Sequence, residues 1–301
     1  MTLASHQPVL LQEILDLADT SERVVDGTLG DGGHAAAFLA RGAEVLGIDR
    51  DPEAVARARA RIPGPALMLV EGCFDDDDIL VRVRSFSPDF LLLDLGVSSR
   101  QLDDDALGFT FRPGAPLDMR MSRSGPDAAA LLNRITEADL ADLFHRLADE
   151  PRSRRLGREI VRRRGTAPFR TSDDLVNAIR ATLGPRSGPG DFARLFQAVR
   201  IAVNSELERL ERALPLLRDA LAPGGRLAVI SYHSGEDRIV KQAFREWAAA
   251  CVCPPDAPIC GCRGKPLGKV LTRRPVQASA AESGSNPRAR SARLRVFEGN
   301  R

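Results

Sequence analysis

Four short apolar runs between residues 23 and 97 alternate with helix-like stretches, and this alternation restricts the possible folds more than any other feature of the chain. The runs are RVVDGTL (23–29), AEVLGID (43–49), ALMLVEG (66–72) and DFLLLDLGV (89–97). Leu91-Leu92-Leu93 is apolar at consecutive positions, so both faces of that strand must be covered, as in a parallel sheet. Asp51 and Pro52 mark a helix start, an N-cap acceptor followed by a residue with no amide to satisfy. Strands alternating with helices predict a doubly wound α/β sheet.

From about residue 107 the rhythm changes. A loop rich in Gly, Pro and Arg leads into a long stretch of helical pattern, in which Thr136 with Asp139, and then RTSDDL (170–175), look like capping boxes. Asp191 to Leu214 reads as one long helix, with Leu195, Val199, Ala202, Leu207, Leu210 and Leu214 near helical spacing. LAPGGRLAVISYH then restores a turn and a buried strand, GEDRIVKQAFREWAAA a helix, and SARLRVFEG alternates like an edge strand. A sheet that stops, yields to helices and resumes predicts an all-helical insert at 108–213 within an α/β domain made of 1–107 and 214–301.

The length of 301 residues suits that division, and the net charge of +2 divides in the same way. Residues 1–108 carry 9 basic and 20 acidic side chains, residues 109–262 carry 24 and 19, and residues 263–301 carry 10 and 2. Positive charge gathered in the insert and tail is what an anionic partner such as nucleic acid requires. GC-rich coding accounts for arginine outnumbering lysine, but not for the clustering. No apolar run reaches the ~18 residues of a membrane span. Glu13, Asp16 and Asp19 break the N-terminal apolar pattern, unlike a signal peptide, and five cysteines are too few for a secreted disulfide framework. A cytoplasmic protein with no membrane attachment is expected.

The sharpest local signal is V-V-D-G-T-L-G-D-G-G-H (Val24 to His34), where the first strand meets the first helix. Glycines there allow a tight turn and close approach of a ligand to the helix N-terminus. Gly30-x-Gly32-x-x-Ala35 fits a dinucleotide fingerprint, so a nicotinamide cofactor is one reading. Asp26 favours another: a carboxylate at the strand end repels a pyrophosphate and suits the cationic amino group of S-adenosylmethionine. Asp49, which ends the second strand, is placed to accept from a ribose diol. Leu221 to Leu227 (L-x-P-G-G-x-L) enters a late strand as methyltransferase sheets commonly do.

With these residues in view, the chain resembles the bacterial 16S ribosomal RNA cytosine-N4 methyltransferases, the RsmH (formerly MraW) type. The resemblance rests on H-x-P-V-L-L-x-E (His6 to Glu13), D-G-T-L-G-x-G-G-H (Asp26 to His34) and G-I-D-R-D-P (Gly47 to Pro52). It continues through L-L-D-L-G-V-S-S-x-Q-L-D (Leu92 to Asp103), P-L-D-M-R-M (Pro116 to Met121) and F-Q-A-V-R-I-x-V-N-S-E-L (Phe196 to Leu207). H-S-x-E-D-R-I-V-K (His233 to Lys241) and N-P-R-A-R-S-A (Asn286 to Ala292) complete it. It implies a Rossmann-like S-adenosylmethionine-dependent sheet with an inserted helical domain for substrate recognition. Cofactor contacts carry over to Gly32, Gly33, His34, Asp49, Phe74, Asp94 and Gln101. The implied substrate is a cytidine in the decoding centre, presented on the small ribosomal subunit, with no obligate protein partner. The chain departs from the family at Gly235, where H-S-L-E-D is usual, and in the stretch before Phe196.

Methyl transfer from a sulfonium is an in-line displacement, for which positioning supplies much of the acceleration. The cytosine amine is a poor acceptor because its lone pair is delocalised into the ring, so an oxygen beside its N–H groups would help. Asp94 is the catalytic candidate. Ser98 and Ser99 are substrate candidates that also suit a plain helix cap, and His233, ending the strand after Pro-Gly-Gly, is a further substrate candidate. Arg152 to Arg164 carries seven arginines on one predicted helix, and Arg288, Arg290, Arg293 and Arg295 alternate as if along one strand face, with Arg288 and Arg290 as RNA contacts. Asp75 to Asp78 read as a solvated turn or helix start. Cys251, Cys253, Cys260 and Cys262 form C-x-C-P-P-x4-C-x-C, which either holds zinc or merely shapes a loop; no metal site is assigned. A methyltransferase for another RNA position, a nicotinamide oxidoreductase and a non-catalytic RNA-binding factor are the alternatives.

Overall fold

The computed structural model describes residues 8–122, 124–254, 259 and 261–300. The first stretch runs α1 (Leu11–Leu17), β1 (Arg23–Asp26), α2 (Gly33–Ala40), β2 (Glu44–Asp49), α3 (Pro52–Arg61), β3 (Leu67–Glu71), α4 (Asp77–Phe86) and β4 (Phe90–Asp94). Six helices follow: α5 (Ser99–Asp103), α6 (Ala128–Arg134), α7 (Glu137–Ala148), α8 (Ser153–Arg164), α9 (Ser172–Leu183) and α10 (Pro189–Asn204). The chain ends with α11 (Glu206–Asp219), β5 (Arg226–Ser231), α12 (Ser234–Ala248), β6 (Gly268–Val270), α13 (Ala280–Ser285) and β7 (Arg293–Gly299). Contacts divide it into two compact units, Met1–Gly96 with Leu207–Arg301, and Val97–Glu206.

In the first unit seven strands form one sheet in the order β3-β2-β1-β4-β5-β7-β6. The first five pair parallel, while β7 runs antiparallel to both β5 and β6. The apolar runs are consecutive because each strand serves two cores. Val25, Leu46, Leu91, Leu93, Leu227 and Val229 face α4, α11 and α12; Val24, Val45, Phe90, Leu92, Ala228 and Ile230 face α1, α2 and α3. SARLRVFEG is therefore an interior strand and not an edge. The edge is β6, whose three residues carry too little pattern to be read from sequence.

On one side of β7 the rings of Phe244, Trp247 and Phe297 lie 5.3–5.6 Å apart, all buried. Phe297→Ala removes two of the three ring contacts. It is expected to destabilise the protein by about 3–5 kcal/mol, read as the shift of a chemical-denaturation midpoint; a change below 1 kcal/mol would mean the cluster is not part of the cooperative core.

The second unit closes its own core around Leu140, Phe144, Leu156, Ile160, Leu175, Ile179, Leu195 and Val199. Thr136 caps α7, and Thr171 with Asp174 forms the expected box on α9. The breaks fall at 96/97 and 206/207, earlier than the sequence expectation of 107/108 and 213/214. Val97, Leu102 and Leu107 pack on the helical core, while Leu210 and Leu214 pack on the sheet. The long helix expected from Asp191 to Leu214 is two helices, because Ser205 adopts a left-handed backbone (φ 49°) between α10 and α11. Asn204 enforces the stop: its Nδ2 donates to Met119 O (2.7 Å) and its Oδ1 accepts from Met121 N–H (3.0 Å). No helix of the described residues is long and apolar enough to cross a membrane.

Candidate functional site

The carboxyl ends of β1, β2 and β4 lie side by side, and each ends in an aspartate: Asp26, Asp49 and Asp94. The strand order reverses between β1 and β4, and in open α/β sheets that crevice is where ligands bind.

The turn after β1 is laid across its neighbours by backbone bonds. Gly27 N–H donates to Leu92 O (2.9 Å), Leu29 N–H to Ile48 O (2.9 Å), and Gly30 N–H to Asp49 Oδ2 (2.7 Å). Gly30 and Gly32 have φ of +52° and +76°, which side-chain-bearing residues avoid, and at Gly32 a Cβ would also sit 2.6 Å from Ile62 Cδ1. Helix α2 starts on Gly32 with no side-chain cap, so Gly33 and His34 open a helix end that a ligand can cap.

Each carboxylate has a distinct setting. Asp49 accepts amides on both oxygens, from Gly30 and from Asp51 (2.8 Å); burial raises its pKa, and the two bonds oppose the rise. Asp26 is buried and pushed up to about 6, first by desolvation and further by the charges of Asp94 and Asp49, with His34 and the Thr28 amide opposing. Asp94 is pushed up to about 7 by burial, with Glu236 adding to the rise and the Tyr232 hydrogen bond opposing it. The Asp94 amide donates to Thr28 Oγ1 (2.6 Å), which ties β4 to the turn. The Tyr232 hydroxyl donates to Asp94 Oδ1 (2.7 Å), while 23% of the Asp94 side chain remains open to a ligand.

His34 donates from Nε2 to Val9 O (3.0 Å), and burial holds its pKa below the ordinary value. Its Nδ1 lies 4.0 Å from Asp94 Oδ2, and the lowered pKa weakens a charge there. Three carboxyl groups gathered at one end of the sheet make a crevice that favours a cation and disfavours a pyrophosphate. Phe74 is half-buried at its rim, its Cβ 3.7 Å from where a Cβ on Gly27 would stand.

Tyr232 and Glu236 were not legible as site residues. Glu236 Oε2 accepts from the backbone N–H of Tyr232 (2.8 Å) and of His233 (3.3 Å), which locks the β5–α12 junction and aims the tyrosine. The available signal was that Tyr232 is the chain's single tyrosine and directly precedes His233. His233 itself caps α12, its Nδ1 accepting from Glu236 N–H (3.4 Å) with Nε2 3.2 Å from Glu236 Oε1. A Cβ on Gly235 would lie 3.1 Å from that Nδ1, so glycine leaves the ring room to fold over the helix start.

In the helical unit Ser98 and Gln101 form a reciprocal capping box on α5: Ser98 N–H donates to Gln101 Oε1 (2.9 Å) and Gln101 N–H to Ser98 Oγ (3.2 Å). The side chain of Ser99 is outside those described, as is the whole of His6. On α8 the exposed Arg154, Arg158 and Arg162 recur every four residues, whereas Arg164 donates to Leu132 O and Ile135 O (2.8 and 2.7 Å) and caps α6.

Three expectations are corrected. Arg288 and Arg290 lie in a 3-10 turn (Pro287–Ser291), so they do not alternate along a strand. Arg293 and Arg295 do lie on β7, but Asp237 pairs with both, at 3.3 and 2.6 Å, and Arg295 is buried, so only Arg293 of the two faces solvent. Asp75 is not solvated: it is buried against Arg209 (2.6 Å) and Arg212 (3.0 Å), because a lone buried carboxylate must be paired.

The model of the MraW methylase family matches residues 3–300. A protein of Gemmatimonas aurantiaca named ribosomal RNA small subunit methyltransferase H is 57% identical, over 97% of this chain and 94% of that one. Proteins of the same name from Thermomicrobium roseum and Heliobacterium modesticaldum are 46% and 44% identical, over 98% and 97% of this chain and 93% and 98% of theirs. A family match across nearly every residue, together with relatives matched from end to end, means that the chain belongs to the MraW methylase family.

Proposed function

We propose that this protein transfers a methyl group from S-adenosylmethionine to the exocyclic N4 of a cytidine in the decoding centre of 16S ribosomal RNA, on the small ribosomal subunit. The observation that carries the reading is the set of three strand-end aspartates at the switch point, with Asp94 held on one oxygen by Tyr232. The cofactor fits this crevice because its amino and sulfonium groups are cations where buried carboxylates need one. When bound, S-adenosylmethionine supplies an electrophilic methyl group.

The chain supplies the remainder. The carboxylate of Asp49 accepts from the ribose hydroxyls, Gly32, Gly33 and His34 frame the helix end, and Phe74 packs on the adenine. Gln101, which the family resemblance also assigns to the cofactor, is buried in the α5 capping box with Ser98. Asp94 Oδ2 accepts an N–H of the acceptor amine, returning lone-pair density to N4, and takes its proton as N4 bonds the methyl carbon and the carbon–sulfur bond breaks, leaving S-adenosylhomocysteine. Tyr232 keeps its own proton, since burial and then the Asp94 charge raise its pKa well above the ordinary value, so it remains a donor throughout. Ser98, Ser99 and His233 remain the substrate candidates that the sequence offers, and the helical unit is the candidate for recognising the surrounding RNA.

The direct test incubates the protein and labelled S-adenosylmethionine with unmodified small subunits and identifies the methylated nucleoside by mass spectrometry. N4-methylated cytidine is expected; label in any other nucleoside overturns the assignment. If five arginines, the exposed Arg154, Arg158, Arg162 and Arg290 with the half-buried Arg288, meet phosphates, log affinity should fall with log salt at a slope of about −3.5 to −4.5. Arg154→Ala with Arg158→Ala should flatten that slope by about 1.5 in a filter-binding series, whereas an unchanged slope would remove α8 from the RNA surface.

A further inference from the structure

The geometry points to a structural zinc site formed by Cys251, Cys253 and Cys262, in the connection between α12 and β6. Their sulfur atoms all lie within 4.8 Å of one another, and those of Cys251 and Cys262 are 3.7 Å apart. A disulfide requires about 2.05 Å. Sulfurs bound tetrahedrally to one zinc at ~2.3 Å stand about 3.8 Å apart, so the separation fits shared coordination and not a covalent bond. The Val252 N–H points at Cys262 Sγ (3.4 Å), the kind of amide contact that stabilises a metal-bound thiolate.

The convergence does not depend on an ion, because other contacts hold the two arms of the loop together. Arg263, beside Cys262, donates to Glu246 O and to Ala249 O (3.2 Å), which caps the end of α12 just before Cys251. Leu267 N–H donates to Trp247 O (2.8 Å) and closes the base of the same loop. The sulfurs are thus brought to one point by backbone and arginine contacts, which lowers the entropic cost of binding a metal. Zinc is favoured over magnesium or calcium because the donors are soft thiolates. Cys260, from the same sequence motif, lies outside the described residues, and the site rests on the three thiolates alone. The zinc would clip the loop that delivers β6 to the sheet edge; it takes no part in the methyl transfer proposed above.

The test uses the full chain purified under reducing conditions and reads zinc by mass spectrometry, independently of activity. About one zinc per chain is expected, released in proportion when a mercurial blocks the thiols, and retained after passage over a desalting column. Cys251→Ser with Cys262→Ser should lose the zinc and melt at a lower temperature, while still binding S-adenosylmethionine. Because a substituted loop can fail to fold, cobalt is also added to the metal-depleted wild-type protein, where intense visible bands with sulfur-to-cobalt charge transfer are expected. Substoichiometric zinc after incubation with zinc salt, full zinc content in the double variant, or cobalt spectra without thiolate bands would each overturn the site.

Discussion

Asp94→Ala is expected to lower the rate of methyl transfer by about 10²–10⁴-fold, the span that a positioned proton acceptor contributes. The measurement is single-turnover transfer to unmodified small subunits at saturating cofactor, so that weaker binding does not mimic slower chemistry. The wild-type rate should rise as pH increases through about 7, where the Asp94 carboxyl gives up its proton, and level off above it. Bound cofactor, being cationic, should move that step to lower pH. In Asp94→Asn the step should vanish. This second variant keeps an acceptor for Tyr232 and separates charge from shape. It also carries an opposite expectation for stability. A carboxyl raised from 3.8 to about 7 in the fold is more acidic when unfolded, so its contribution to stability diminishes as pH rises between those values. Removing that charge should therefore stabilise the cofactor-free protein at neutral pH, by about 4 kcal/mol at most. An Asp94→Asn protein that is slow yet melts higher marks a residue kept for function against stability. A fully active Asp94→Ala enzyme would refute the role.

Asp49→Ala should act on a different step. Loss of two charged hydrogen bonds at about 1.5–3 kcal/mol each weakens S-adenosylmethionine binding by at least about 10²-fold, with a smaller effect on transfer at saturating cofactor. Calorimetric titration with S-adenosylmethionine reads this directly. The same carboxylate accepts the amides of Gly30 and Asp51, so the variant also frees the glycine turn, and Asp49→Asn, which retains one acceptor oxygen, should fall between. An unchanged dissociation constant in Asp49→Ala would remove this residue from the cofactor site.

Much of the fold was legible because its signals are local. Asp51 before Pro52, Thr136 before Asp139 and consecutive apolar residues in β4 are each set by near neighbours, and each holds in the structure. The misreadings have a common cause as well. Asp191 to Leu214 keeps an apolar period across Ser205, and nothing nearby announces the stop that Asn204 makes by reaching Met119 and Met121, 85 and 83 residues away. The alternating tail arginines look like a charged face until Asp237, from another element, is placed beneath Arg293 and Arg295. Asp75 likewise reads as a surface acid until Arg209 and Arg212 arrive from α11.

By itself the sequence determined the parallel sheet, the interrupted organisation, the glycine turn and the identities of its strand-end acids, since periodicity and caps depend on the residues within a few positions. Only the tertiary structure decided what those acids are. Asp94 and Tyr232 are 138 positions apart, and they meet because β4 and β5 pair side by side with the tyrosine just beyond the end of β5. Burial, invisible along the chain, lifts the Asp94 and Asp26 carboxyls into the neutral range and lowers the His34 pKa. Desolvation and proximity in space, not residue type, set the electrostatics of the three aspartates proposed to meet a cation.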